Sequence, residues 1–414
     1  MSSLIGTTLE NYDFFIYGTA AALVFNTLFF PGSAPATATL ATFAVFATGF
    51  LARPLGGALF GHLGDRVGRK SMLVTTLLVM GFATAGIGLL PTYAAIGGWA
   101  SALLVALRLL QGLAAGGEWG GAAVMTVECA PDGKRGFYGG FTQIAVPIAF
   151  ILANLVYLPL TTLLSHDQLA SWGWRIPFLL GAALVICGLV IRLKVNESPV
   201  FTEARTTHSA SRPPIVQVWR KYPRVIALTT LAVTAPAAIG YIKNVYLLSY
   251  GTQILHISRT TLLVVCLVNA LVEAVQVVIF ARLSDRIGRK KVFVFGGVVS
   301  ALWAVPFVLL IDTKAWPLIL LGLVVTGVGS TAMFAPLAAL LAESFTPEVR
   351  YTGVSMGFQF GSTVGGGLAP LISAALFAAT GSVLSMAAYI VLLSLVSLGA
   401  IAFIRETADQ PLSS

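Results

Sequence analysis

The sequence predicts an all-α polytopic membrane protein, with twelve transmembrane helices arranged as two pseudo-symmetric six-helix bundles. Three observations predict it. Of 414 residues, 57% are apolar and only 10% are Asp, Glu, Lys or Arg, whereas soluble domains carry about a quarter charged residues. Apolar runs of about 20 residues, the length that spans a bilayer, recur along the whole chain. A ten-residue segment, Gly61-His-Leu-Gly-Asp-Arg-Val-Gly-Arg-Lys70, returns as Ala281-Arg-Leu-Ser-Asp-Arg-Ile-Gly-Arg-Lys290 with six identical positions.

The apolar runs place spans at 8–30, 38–60, 71–90, 99–124, 137–160, 174–193, 223–250, 260–281, 292–311, 316–340, 352–378 and 382–404. Helices are expected because an isolated strand in lipid leaves its backbone groups unpaired. Residues 194–222 are hydrophilic and contain Pro199, Pro213 and Pro214 among several Ser and Thr. This stretch reads as a cytoplasmic linker, with room for a short amphipathic helix on the membrane, and divides the chain into bundles 1–193 and 223–414. Of 25 Lys and Arg, 19 lie in the tail or in loops that follow even-numbered spans, and the alternate loops hold Arg175, Arg259 and Lys314. Positive residues stay cytoplasmic, so both termini are expected inside, in the plasma (inner) membrane of a prokaryote. The first apolar run has no small-residue cleavage pattern, so no signal peptide is expected. A second repeat supports the first: Glu128 and Arg135 flank Pro131, and Glu343 and Arg350 flank Pro347 at the same seven-residue spacing. Parallel six-helix repeats suit a monomeric transporter with its site between the halves near the mid-membrane.

Other classes fit poorly. The net charge of +9 is scattered through short loops, which does not suit nucleic acid. Cys129, Cys187 and Cys266 show neither disulfide nor metal spacing and read as buried spectators. No Gly-x-x-x-x-Gly-Lys phosphate loop is present, and His62, His166, His208 and His256 fall in or beside different loops. No cofactor, metal or enzymatic activity is expected, and a channel would more often build its pore from several subunits.

Asp65-Arg66-Val67-Gly68-Arg69-Lys70, its copy at Asp285 to Lys290, and Arg108-Leu-Leu-Gln-Gly112 resemble signatures of the major facilitator superfamily. Finer motifs resemble its metabolite:proton symporter branch, which includes shikimate, α-ketoglutarate, citrate and proline/betaine carriers. They are Glu10-Asn-Tyr-Asp-Phe14, Arg53-Pro-Leu-Gly-Gly57, Gln111-Gly-Leu-Ala-Ala-Gly-Gly-Glu-Trp-Gly-Gly121, Gly173-Trp-Arg-Ile-Pro-Phe178, Glu197-Ser-Pro-Val-Phe201 and Arg350-Tyr-Thr-Gly-Val-Ser355. Asn11 stands where this branch implies Trp.

Six ionisable residues fall within the spans: Asp13, Arg53, Arg108, Glu118, Lys243 and Glu273. Each costs roughly 2.5–3.5 kcal/mol at a helix centre, so they must pair or face water, and they map the interior. Counting residues along each span gives two layers. The cytoplasmic layer holds Asp13, Arg53 and Glu118, with Glu10 on the Asp13 face of the first helix, and Glu273 on the eighth helix also falls below the midplane. Two carboxylates in low dielectric with an arginine close by form a candidate proton site. The outer layer is a candidate anion site, in which Arg108 from one half and Lys243 from the other would bridge one carboxylate. Gln111, Tyr241, Asn244 and Tyr246 could add hydrogen bonds, and Glu273 with Gln276 could line the same cavity. Gly116, Gly117, Gly120 and Gly121, like Gly361 and Gly365, read as packing surfaces.

The resemblance also implies a cytoplasmic gate, in which Asp65 meets the amino-terminal end of the eleventh helix, with Arg69, Glu128 and Arg135 in support. By pseudo-symmetry Asp285 faces the start of the fifth helix near Gly136, with Arg289, Glu343 and Arg350 in the partner roles. The expected function is proton-coupled symport of a small organic anion, such as shikimate or a dicarboxylate, by alternating access. The alternatives are symport of a zwitterion such as betaine, and antiport of a drug-like compound. The superfamily's antiporter signature, a Gly-rich run ending in Gly-Pro, is missing from Thr142 to Leu152.

Overall fold

The computed structural model describes residues 2–67, 69–194, 214–347 and 349–408, and every regular element among them is helical. Among the described residues, ten helices are long and apolar enough to cross a membrane. They are Pro35–Phe60 (helix 2), Gly98–Glu128 (helix 4), Arg135–Leu163 (helix 5), Gly173–Val190 (helix 6), Pro223–Gln253 (helix 7), Arg259–Ile287 (helix 8), Arg289–Asp312 (helix 9), Trp316–Glu343 (helix 10), Arg350–Thr380 (helix 11) and Leu384–Phe403 (helix 12). Helix 3, Arg69–Leu89, contains the shorter apolar stretch Val74–Leu89. Helix 1 runs from Ser2–Ala20 through a π-helical turn, Ala21–Phe25, into Asn26–Phe29. It starts before the expected position 8 because its polar opening is sheltered by the bundle: Thr7, Thr8, Glu10, Asn11 and Asp13 are all at most 8% exposed.

The outer surface is apolar. Phe82, Trp99 and Leu302 are 70%, 73% and 75% exposed, an arrangement that lipid rather than water accommodates. The same inversion corrects the reading of the cysteines. Cys266 is buried, but Cys129 and Cys187 are exposed, because an apolar segment of a membrane protein has one face toward lipid. Residues 195–213 of the expected linker lie outside the described residues. Pro214–Lys221 forms a short helix with Val216 and Trp219 exposed and Arg220 and Lys221 in its last turn.

The repeat seen in the sequence reaches the backbone irregularities. Helix 7 carries a π turn at Ile242–Tyr246, 221 positions after that of helix 1. Helix 4 is interrupted at Gly117 and Glu118, and helix 10 at Ala335 and Pro336, 218 positions later. A further π turn, Thr363–Gly367, sits in helix 11. Such departures from α geometry are local weaknesses that recur at functional sites. Here they fall where the halves approach one another.

Glycines set the closest contact within the first half. A Cβ on Gly112 would lie 1.9 Å from the Gly49 carbonyl oxygen, and one on Gly116 would lie 2.0 Å from that of Arg53. Helices 2 and 4 therefore touch backbone to backbone, as small residues allow. The halves meet on both sides of the interior. On the face carrying the basic loops, the Tyr351 hydroxyl donates to the Gly117 carbonyl at 2.8 Å and Trp119 stacks on Phe358 with centroids 3.4 Å apart. On the opposite face, the Gln253 amide donates to the Ala22 carbonyl at 3.1 Å, inside the π turn of helix 1.

Candidate functional site

Between the halves lies a cavity lined by helices 1, 2, 4 and 5 on one side and 7, 8, 10 and 11 on the other. Its first-half wall includes Glu10, Asn11, Phe15, Arg53 and Trp119, and its second-half wall includes Tyr241, Lys243, Asn244, Glu273, Ser330 and Thr331. Phe358 and Ser362 of helix 11 complete it.

Arg53 is 3% exposed and lies 3.4 Å from Glu10 through Nη2 and Oε1. Its guanidinium carbon sits 3.9 Å from the Phe14 ring centroid and 4.4 Å from that of Phe50. The rings hold the plane of the cation by its quadrupole attraction but offer its N–H groups no oxygen, and Nε and Nη2 make no hydrogen bond. Lys243 belongs to the π turn of helix 7 and is 3% exposed. Its ammonium donates to Glu273 and, at 3.1 Å, to the Ser330 hydroxyl, while Asn269 donates to the same Glu273 oxygen at 2.8 Å. This pair is internally satisfied.

A separate polar chain runs through the first half. Thr84 donates to Asp13 at 2.6 Å, Gln111 donates to the Thr84 hydroxyl at 2.8 Å, and Arg108 donates to Gln111 at 2.8 Å. Asp13 is 1% exposed, and Gln111, Thr84 and Arg108 are 0% exposed. Arg108 stacks on Tyr17 at 4.0 Å and on Phe14 at 4.5 Å. Phe14 thus contacts both arginines, which couples this chain to the cavity wall. Glu118 is 3% exposed at the interruption of helix 4.

Three expectations about this interior are corrected. Arg108 does not line the cavity that holds Lys243: the arginine of that cavity's wall is Arg53, and Arg108 is enclosed by aromatic rings. The ion pair of Arg53 is with Glu10, whereas Asp13 accepts a hydrogen bond from Thr84. Three helical residues advance about 300°, so Glu10 and Asp13 lie about 60° apart around helix 1, enough to face different neighbours. Lys243 and Glu273, assigned to different depths, form one pair, because a long side chain in a π turn reaches across that distance. Tyr241 and Asn244 line the cavity, while Tyr246 packs on Phe43 and Tyr250. Gln276 donates to the Val324 carbonyl at 3.3 Å. Sequence reasoning missed Trp119 and Asn11 as wall residues, although both sit inside the motifs it singled out. Nothing in the sequence pointed to Thr84, Asn269 or Ser330.

The basic face holds a second constellation. Asp285 accepts the N–H groups of Gly136 and Phe137 at 2.7 and 2.8 Å. Arg289, 1% exposed, lies 2.6 Å from Asp285 and 3.3 Å from Glu343. Arg135 comes within 4.0 Å of Glu343, and Arg350 within 2.8 Å of Glu128. The Thr407 hydroxyl donates to Glu343 at 2.7 Å. The side chains of Asp65 and Arg69 lie outside the described residues.

Residues 1–221 match the family model described as Sugar (and other) transporter, and residues 225–414 match that of the Major Facilitator Superfamily. The chain is 41% identical to the Escherichia coli inner membrane metabolite transport protein YhjE, over 90% of this chain and 86% of that protein. It is 38% identical to the Escherichia coli shikimate transporter, over 91% of this chain and 86% of that one. A Staphylococcus haemolyticus protein whose name refers to proline/betaine transport is 35% identical, over 99% of this chain and 87% of its own length. Among solved structures, that of a D-xylose-proton symporter superposes with a TM-score of 0.76 at 18% identity, covering 98% of this chain and 96% of that one. That likeness bears on the fold alone.

Proposed function

Because this chain belongs to the major facilitator superfamily, and is a multi-pass membrane transporter rather than an enzyme, we propose that it is a proton-coupled symporter of a small organic anion. The observation that carries this reading is the cavity's charge pattern. Arg53 with Glu10 and Lys243 with Glu273 make two pairs of opposite sign, one from each half, so the empty cavity is balanced. A carboxylate entering alone would leave one uncompensated negative charge in low dielectric, where such a charge is costly. Entry of a proton with it restores the balance. Proton and anion are thereby favoured together, which is the thermodynamic content of symport.

Asp13 is the acid best placed to hold that proton. It is buried, its hydrogen-bonded chain ends on Arg108, and Phe14 links Arg108 to the cavity cation. Glu10 at the wall and Glu118 at the helix 4 interruption are further acids of the same half. The similarity to the Escherichia coli shikimate transporter supports an organic acid. The zwitterion reading draws support from the staphylococcal relative and from the two carboxylates in the wall. Alternating access would open the basic face by releasing Asp285, Glu343 and Glu128 from the opposite half, with Asp65 in the matching role. The protein is proposed to act as a monomer in the inner membrane with both termini cytoplasmic.

The test is uptake of labelled acids into proteoliposomes with and without an inward proton gradient. Gradient-driven accumulation of an acid is expected. Accumulation of glycine betaine with no uptake of any acid would replace this reading with the zwitterion one.

A further inference from the structure

The chain from Asp13 through Thr84 and Gln111 to Arg108 has a direction, and Arg108 fixes it. A guanidinium only donates, so the Gln111 oxygen faces Arg108 at 2.8 Å and the Gln111 amide nitrogen donates onward to the Thr84 hydroxyl at 2.8 Å. Thr84 thus accepts from Gln111 and keeps one hydroxyl proton and one further lone pair. Two acceptors lie within reach of that proton. One is Asp13 Oδ2 at 2.6 Å, and the other is the Met80 carbonyl at 2.9 Å, one turn earlier in helix 3. A single proton serves one of them at a time.

The ionisable groups close to Asp13 or Arg108 are Tyr12 and Tyr17 on helix 1, Arg53 on helix 2 with its partner Glu10, Tyr157 on helix 5 and Tyr241 on helix 7. Tyr12 and Tyr157 donate elsewhere, to the Pro177 and Ile16 carbonyls at 3.1 and 2.9 Å. Helix 6 presents Gly181, where a Cβ would lie 3.2 Å from both Asp13 and Thr84, so its backbone closes over the pair. Among the described residues, the side chain that donates to Asp13 is therefore Thr84. An ionised Asp13 takes the Thr84 proton. A protonated Asp13 must itself donate, and the remaining lone pair of Thr84 receives it while the Thr84 proton turns to Met80, whose carbonyl has two lone pairs. Asp13 gains or loses one proton, and Thr84 is an alcohol in both states. Every polar group of the chain keeps a partner throughout.

We infer that Thr84 is a positioning residue for proton coupling: its hydroxyl turns between Asp13 and the Met80 carbonyl, so that Asp13 is hydrogen-bonded in either charge state inside a dry bundle. This rests on the reading of Asp13 as the coupling acid and adds the group that allows it both states.

The test follows the C=O stretch of the protonated Asp13 carboxyl against pH, by infrared difference spectroscopy on the full-length protein in lipid, with Asp13→Asn identifying the band. Thr84→Val keeps the shape and removes a bond that is stronger to the ionised acid than to the neutral one. The ionised form loses more, so the pH midpoint should rise by about one unit, a tenfold gain in proton affinity. Thr84→Ser should restore the wild-type midpoint, and Thr84→Cys, with a weakly donating thiol, should fall between. The Cys and Ser variants decide the matter if Thr84→Val does not fold. A contact that only packs helix 3 would move stability and leave the midpoint in place. An unmoved midpoint in Thr84→Val or Thr84→Cys, or a Thr84→Ser midpoint displaced as far as theirs, would overturn the inference and leave Asp13 as the coupling acid. If Asp13→Asn removes no titrating band, the inference and the assignment of Asp13 both fall.

Discussion

Asp285, at the end of helix 8, accepts the backbone N–H of Gly136 at 2.7 Å, across 149 residues of chain and from one half to the other. With the second bond from Phe137, the carboxylate sits on the amino terminus of helix 5, where free N–H groups and the helix dipole favour negative charge by up to about 2 kcal/mol when partly buried. Asp285→Asn keeps an acceptor and removes the charge. It should shift the population toward states open at the basic face by up to about tenfold per 1.4 kcal/mol, read as spin-label distances across that face, with expression unchanged. An unaltered distance distribution would leave Asp285 as a packing residue.

Burial ranks the two acids that support this closure. The Glu343 side chain is 3% exposed and meets Arg289 and Arg135, whereas that of Glu128 is 42% exposed on Arg350. Removing one partner of a buried pair costs about 3–5 kcal/mol, and an exposed pair contributes about 0.2–1 kcal/mol. Glu343→Gln should therefore lower the thermal midpoint well beyond Glu128→Gln in the same detergent. Equal midpoints would show that Glu343 is solvated in the working protein.

The two arginines on either side of Phe14 should separate by phenotype. Arg53→Lys keeps the charge at the cavity wall and loses the planar guanidinium, so anion affinity should fall by roughly 1.5–3 kcal/mol, the worth of a hydrogen bond to a charged group. Arg108→Lys loses the stacking on Tyr17 and Phe14 and the bond to Gln111, and should lower the midpoint instead. Binding titrations and thermal scans on both variants decide between them.

Proton coupling is tested at Asp13. Asp13→Asn retains an acceptor for Thr84 but cannot exchange a proton, so gradient-driven accumulation should be lost while counterflow exchange survives. Glu118→Gln, at the helix 4 interruption, serves as the parallel variant. If both variants still concentrate substrate, the coupling acid lies elsewhere, with Glu10 the next to change.

The sequence by itself determined the solvent, the element type and the repeat. A chain with 10% charged residues cannot cover a water-facing surface, and lipid admits only backbones that satisfy themselves. The match of Asp65 to Lys70 with Asp285 to Lys290, identical at five of six positions, carried the duplication, and helices 1 to 12 follow it down to paired π turns. The duplication, together with the family resemblance, places Asp285 near Gly136, where the structure has it. What only the tertiary structure decided is which charge meets which. Glu10 and Asp13 are three residues apart, and a rotation of about 60° sends one to Arg53 and the other to Thr84. Depth counted along a straight helix separated Lys243 from Glu273, yet the π turn and a four-carbon stem bring them together. Arg108 and Arg53 are both buried cations in a membrane, and residue type does not distinguish them. The cavity lining, which includes Arg53 and not Arg108, does, and it is set by helices distant in sequence.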